Sequence, residues 1–254
     1  MEGITGILND VQEFAPAPVY AMTIGSHVWD GSCGRTQAHS LFRMKKHWEY
    51  QEQPLTRYFG GLTREFQTNV GTLARGIVGA GVKMEYILFD DCYMSSVKAA
   101  YELREATRFL IASASEMMAY GMLYATVGEF LLGNPDYGSL CEGFHDFYST
   151  YEMMPCGTLA VTDCSELDNM AAIMKSINDE YVFDDSLQGG PQGVDGYTPV
   201  IFYDFADYIL TLCSDPVLTA RFREQLERLV PYKPHTSKFY SRAKGTFPYV
   251  LFRG

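Results

Sequence analysis

Two apolar runs of strand length, Tyr86–Phe89 (YILF) and Arg108–Ala114 (RFLIASA), flank a stretch from Met94 to Arg104 whose apolar residues recur at helical intervals. A strand, a helix and a strand in so short a span leave few folds open. Val19–Ile24 (VYAMTI) adds a further strand candidate and Thr158–Thr162 (TLAVT) a weaker one. Helical patterns cover Gly3–Phe14, Asn69–Gly81, Leu140–Tyr151, Ser165–Tyr181, Val200–Leu212 and Pro216–Leu229. Asp215 is placed as the cap of the last of these, with Pro216 in its first turn. Strands separated by helices predict an α/β domain with a mainly parallel sheet covered on both faces. The tail, Phe239–Phe252, reads as a hairpin.

Chemistry-bearing residues gather where these strands end. Asp90-Asp91-Cys92 lies between the Tyr86 run and the helical stretch, so the thiol is expected where a strand gives way to a helix. In α/β proteins ligands collect at the carboxyl ends of strands. A helix N-terminus there would present free N–H groups and a positive dipole end, which favour a thiolate. The competing reading is a buried structural cysteine. His27 follows Val19–Ile24 through Gly25-Ser26 and is placed to converge with Cys92 at one end of the sheet. A Cys–His pair is chemically sufficient for acyl transfer, because the base raises the thiolate fraction and then protonates the leaving amine. Side chains alternate along a strand, so Asp90 and Cys92 should share one side. Asp91 should face the other way and is read as a helix cap.

Other function classes find less support. A zinc site built from His27, Cys33, His39 and His47 would need spacings longer than those of typical zinc pairs. The acidic run Asn178–Asp185 lacks the alternating ligands and central glycine of a calcium loop. The methionines at 84, 94, 117, 118 and 122 read as core filler. A net charge of −11 argues against nucleic-acid binding through the phosphate backbone. No run approaches the roughly 18 apolar residues of a membrane span, and Met1–Ala15 carries no signal-peptide pattern. Six cysteines in 254 residues, none in a Cys-x-x-Cys pair, make no disulfide scaffold. Residues 27–68 hold little periodicity and read as a long loop containing the basic residues Arg43, Lys45 and Lys46. Gly189–Gly196 reads as a turn-rich loop.

Taken together, FDDCYMSS at Phe89–Ser96, AAYELR, FLIASASE and GMLY within Tyr86–Tyr124 resemble the clostripain-like cysteine peptidases. Thr23–His27, Val200–Ile209 (VIFYDFADYI) and HTSKFYS at His235–Ser241 are similar to the same family. The resemblance implies a single domain over residues 1–254, with a caspase/haemoglobinase-like three-layer α/β/α sandwich. It also implies that the family's N-terminal strands are lacking and that both ends are cut. It implies a cysteine endopeptidase with Cys92 as nucleophile and His27 as general acid/base. Backbone N–H groups of Cys92 and Val28 would form the oxyanion hole, and Asp90 would bind an Arg or Lys side chain before the scissile bond. No metal or other cofactor enters that chemistry, although calcium dependence occurs among relatives. The partners implied are peptide or protein substrates, and the location is secreted or in a bacterial cell envelope. Several members cut themselves between the His and the Cys, which maps to residues 28–91. Two departures stand out: Val28 occupies a position normally held by Gly, and no second acidic pocket residue is identifiable in Ser113–Tyr124. The second bears on the preference for Arg or Lys, while Val28 and the lacking N-terminal strands keep open the alternative of a weakly active or inactive relative acting as a binding protein.

Overall fold

The structure is a computed structural model that describes residues 2–25, 58–60, 67–118, 120–152, 155–182, 203–240 and 249–251. In chain order the first elements are α1 (Glu2–Phe14), β1 (Met22–Gly25), β2 (Tyr58–Gly60), β3 (Gln67–Asn69), α2 (Val70–Gly79) and β4 (Met84–Asp90). There follow α3 (Val97–Leu103), β5 (Thr107–Ala112), the single turn α4 (Tyr124–Val127), α5 (Tyr137–Thr150) and β6 (Ala160–Asp163). The chain closes with α6 (Leu167–Glu180), α7 (Phe205–Leu212), α8 (Pro216–Leu229), β7 (Lys238–Tyr240) and β8 (Tyr249–Leu251).

The central sheet has the order β1-β4-β5-β6. β1 pairs parallel with β4, and β4 parallel with β5. β6 runs antiparallel to β5, so it begins at the edge where β4 and β5 end. Alternation along β4 and β5 gives each face its own core. Ile87, Phe89, Leu110 and Ala112 pack with Leu73 and Ile77 of α2, Leu103 of α3, Met170 of α6 and Phe222 of α8. Tyr86, Leu88 and Ile111 pack on the opposite face with Met118, Met122, Leu140, Phe144 and Tyr148. Each fully buried Leu, Ile or Phe contributes roughly 1.5–3 kcal/mol relative to exposure, so both faces need their helical cover. The result is the mainly parallel α/β/α sandwich expected from the sequence.

Local chemistry sets the helix starts. Asn69, Ser96, Asp136 and Asp215 each accept a backbone N–H of the following turn, and Pro216 opens α8 as expected. Element bounds shift by a few residues. The first strand begins at Met22 rather than Val19, although Tyr20 still accepts the Glu85 N–H at 2.7 Å. Within the expected long loop, β2 and β3 form a small antiparallel pair whose Phe59 meets Phe89 edge-on at 5.4 Å. The expected tail hairpin is present as β7 and β8. Gly189–Gly196, the end of the run Asn178–Asp185 and the start of the Val200 helix pattern lie outside the described residues.

Candidate active site

β4 ends at Asp90, and its register places Gly25, the last residue of β1, directly beside it. The parallel pairing therefore sends both strand ends to the same edge of the sheet. His27 and Val28 lie outside the described residues, as do Cys33, His39 and His47.

Beyond Asp90 the chain does not enter a helix at once. Asp91–Ser95 form a turn, and α3 starts only at Val97 with Ser96 as its cap. This corrects two expectations. Cys92 is not in the first turn of a helix, so the helix dipole, which fades within one turn, gives it little. Asp91 is not the cap; it is buried, and its Oδ1 accepts the Cys92 N–H at 2.8 Å. The cause of the detour is Tyr93, the one non-glycine residue at positive φ (56°) among the described residues. Such a conformation costs of order 1–3 kcal/mol and persists only where surroundings hold it. Here the Tyr93 N–H donates to Ser115 O at 3.0 Å and the Ser95 N–H to Ser113 O at 2.9 Å. The Tyr93 hydroxyl adds a bond to Glu116 Oε1 at 3.3 Å.

The turn leaves the Cys92 sulfur half-buried against the backbone of Met117. The Met117 N–H donates to Sγ at 3.3 Å, and the thiol faces Met117 O at 3.8 Å. A thiol can use the carbonyl and a thiolate the N–H, so one residue serves both protonation states. The expectation of core filler holds for the side chains of Met84, Met94, Met118 and Met122, all buried. Met117 acts instead through its main chain.

Asp90 meets the same segment a few residues further on. Its Oδ1 accepts the Met122 N–H at 3.1 Å, and the Tyr124 hydroxyl also bonds its carboxylate. Burial first, and then the Asp90 charge, raise the Tyr124 phenol well above its ordinary range. Gly121, at φ +67°, lies flat against the carboxylate; a Cβ there would stand 2.8 and 2.9 Å from the two oxygens. Only glycine combines that approach with that φ. The Tyr148 hydroxyl fixes the Gly121 carbonyl from behind at 2.8 Å. Asp90 and Cys92 thus face one segment, Met117–Met122, as strand alternation predicts. The sequence reading missed that segment. Its signal was an isolated glycine among apolar residues, which marks close backbone approach.

The other described cysteines are buried. Burial pushes the thiols of Cys141 and Cys164 up to about 12. Among the described residues no group of His, Cys, Asp and Glu could hold a metal ion, and no helix is long and apolar enough to cross a membrane.

A half-buried thiol and a carboxylate two residues before it thus sit at the carboxyl edge of a three-layer α/β/α sheet. The sequence profile of the clostripain family matches residues 66–193. A secreted C11 cysteine protease from Bacteroides thetaiotaomicron, "iotapain", is 54% identical with a TM-score of 0.84; the match covers 100% of this chain and 69% of that one. A clostripain from Bacteroides thetaiotaomicron ATCC 29148, solved with the peptide inhibitor BTN-VLTK-AOMK, is 57% identical with a TM-score of 0.74, covering 78% of this chain and 86% of that one. An inactive zymogen C11 protease from Parabacteroides distasonis shares the fold at 24% identity and a TM-score of 0.74, covering 100% of this chain and 66% of that one. No curated protein matches significantly. The chain belongs to the clostripain family of cysteine proteases.

Proposed function

We propose that this protein hydrolyses peptide bonds after Lys or Arg, with Cys92 as the nucleophile and His27 as the general acid/base. The observation that carries the reading is the setting of Cys92: half-buried, with an N–H aimed at its sulfur and a carboxylate two residues away facing the same segment. Gly25 beside Asp90 brings the chain leading to His27 to that edge. Cys92 Sγ attacks the carbonyl, and His27 takes the thiol proton and returns it to the departing amine. Water then cleaves the thioester with His27 as base. No metal takes part in any of these steps.

Backbone N–H groups of Cys92 and Val28 would receive the oxyanion, donors worth roughly 3 kcal/mol each. The Cys92 N–H is held by Asp91 in this structure, so its use requires that bond to open or to become shared. Asp90 would take the cationic substrate side chain as a charge-assisted contact. The inhibitor peptide VLTK of the 57% identical relative closes on lysine, in keeping with that assignment. An extracellular location follows the secreted relative.

Cys92→Ala and His27→Ala should each abolish hydrolysis of a lysyl reporter peptide, by similar factors because the two act as a unit. Turnover near wild type in Cys92→Ala would end the reading.

A further inference from the structure

The turn that carries Cys92 is strained, so something rigid must hold it. Both of its main-chain anchors lie on the short segment after β5: Ser115 O takes the Tyr93 N–H and Ser113 O takes the Ser95 N–H. Among the described residues that segment has no strand partner. Its support is a buried ring of hydroxyls centred on Thr158, at the start of the chain's return into β6.

Thr158 Oγ1 lies 2.7 Å from Ser113 Oγ, 3.0 Å from Ser115 Oγ and 3.2 Å from the Ser115 nitrogen. Ser113 Oγ in turn donates to Ser115 O at 3.0 Å. One set of donors satisfies the ring. The Thr158 hydroxyl donates to Ser113 Oγ, the Ser113 hydroxyl to Ser115 O, and the Ser115 hydroxyl back to Thr158 Oγ1. The Ser115 N–H is shared between Ser113 Oγ and Thr158 Oγ1. Every hydroxyl then donates once, and the Ser113 and Thr158 oxygens also accept. Ser113, Ser115 and Thr158 are all buried, so water does not compete and a lost partner is not replaced. Thr158 is itself anchored from outside the ring, through its bridge to His235 and the Thr236 N–H bond to Gly157 O at 3.0 Å.

We propose that Thr158 is a positioning residue for the nucleophile: through Ser113 and Ser115 it fixes the carbonyls that hold Tyr93 at positive φ, and so sets Cys92 Sγ against the Met117 N–H. The inference rests on Cys92 being the nucleophile, but its central readout does not need turnover. Thr158 touches neither the sulfur nor the substrate. Its loss should act by letting the turn relax, which misaligns the sulfur and takes the Met117 N–H from the thiolate.

The test pairs Thr158→Val, which keeps shape and deletes the hydroxyl, with Thr158→Ser, which keeps the hydroxyl. Steady-state kinetics on a lysyl reporter should show kcat reduced about 10- to 100-fold in Thr158→Val, as for a small misplacement of reacting groups, with KM within about twofold. Thr158→Ser should restore kcat to within about threefold of wild type. In parallel, iodoacetamide labelling of Cys92, followed peptide by peptide by mass spectrometry, should have its pH midpoint moved upward in Thr158→Val and restored in Thr158→Ser. An unchanged midpoint and kcat in Thr158→Val, or equal losses in both variants, would overturn the proposal. Should Thr158→Val fail to fold, Ser113→Ala cuts the same ring more gently, and a wild-type labelling midpoint there also overturns it. If Cys92→Ala were to keep turnover, the nucleophile assignment would fail, while the labelling midpoint would still report on the positioning.

Discussion

The chain carries an Asp-Cys pair at two strand ends, Asp91-Cys92 after β4 and Asp163-Cys164 at the end of β6, and the structure gives them opposite fates. Cys164 is the one that opens a helical turn, Cys164–Glu166, leading straight into α6. The local feature expected to activate a thiol therefore occurs at a cysteine that is buried. Burial there outweighs the helix end: Cys164 is 3% exposed, and desolvation, reinforced by the Asp163 charge, pushes its thiol up to about 12. Cys92 lacks the helix and keeps access to solvent and an N–H on its sulfur. Because β6 runs antiparallel, Cys164 also lies at the opposite sheet edge from Asp90 and Gly25. A thiolate is favoured where the sulfur stays wet and finds donors, and proximity to a helix start is the weaker influence.

The sharpest way to break this contrast is to delete each sulfur. Cys92→Ala should lower kcat by on the order of 10⁴–10⁶, whereas Cys164→Ala should leave kcat within about twofold and cost about 1 kcal/mol of stability. A large activity loss in Cys164→Ala would remove the distinction.

Alkaline pH separates the two by protonation. The folded-state values of Cys141 and Cys164 are raised to about 12, above the roughly 8.5 of an unfolded cysteine. Their contribution to stability is therefore fully present below about pH 8.5 and is lost as pH rises from there towards 12. Urea midpoints should fall over that window, and should fall less in Cys164→Ala. At pH 8 iodoacetamide should label Cys92 in the folded protein, and Cys141 and Cys164 only after unfolding. A midpoint independent of pH up to 11 would contradict the burial argument.

The aspartates sharpen the comparison with the smallest effect. Asp163 caps the turn of Cys164, accepting the Ser165 N–H at 2.9 Å, while Asp90 accepts the Met122 N–H at the edge where β4 ends. Asp90→Asn should cut turnover of lysyl and arginyl reporters roughly 10-fold, through loss of a charge-assisted contact, and spare a neutral one. Asp163→Ala should cost about 1 kcal/mol of stability, as caps do, without changing reporter preference. Equal losses on charged and neutral reporters in Asp90→Asn would make that residue structural.

Much of the fold was legible because its determinants are local. The short apolar run of Tyr86–Phe89 and the helical period from Met94 to Arg104 are read from neighbouring residues alone, and Asp215-Pro216 announces the start of α8 in two residues. The family was legible too, since FDDCYMSS and FLIASASE carry the strands and turns on which the site stands. Less legible was the path of the Asp91–Ser95 turn inside the first of them. An α3 starting at Val97 instead of Met94, and Tyr93 at positive φ, arise from bonds to Ser113 and Ser115 some twenty residues away.

The sequence by itself determined the alternation of strands and helices, the two-sided core, and the presence of a thiol and a carboxylate two residues apart at a strand end. Only the tertiary structure decided which of the two cysteines keeps access to solvent, that Met117 aims its N–H at sulfur, and that Gly121 lies against Asp90. The physical reason is range. Periodicity and capping act within one or two turns of chain, where neighbours in sequence are neighbours in space. Desolvation and hydrogen-bond supply depend on what the fold brings from elsewhere, and for the Cys92 sulfur that supply comes from Met117, beyond the end of β5.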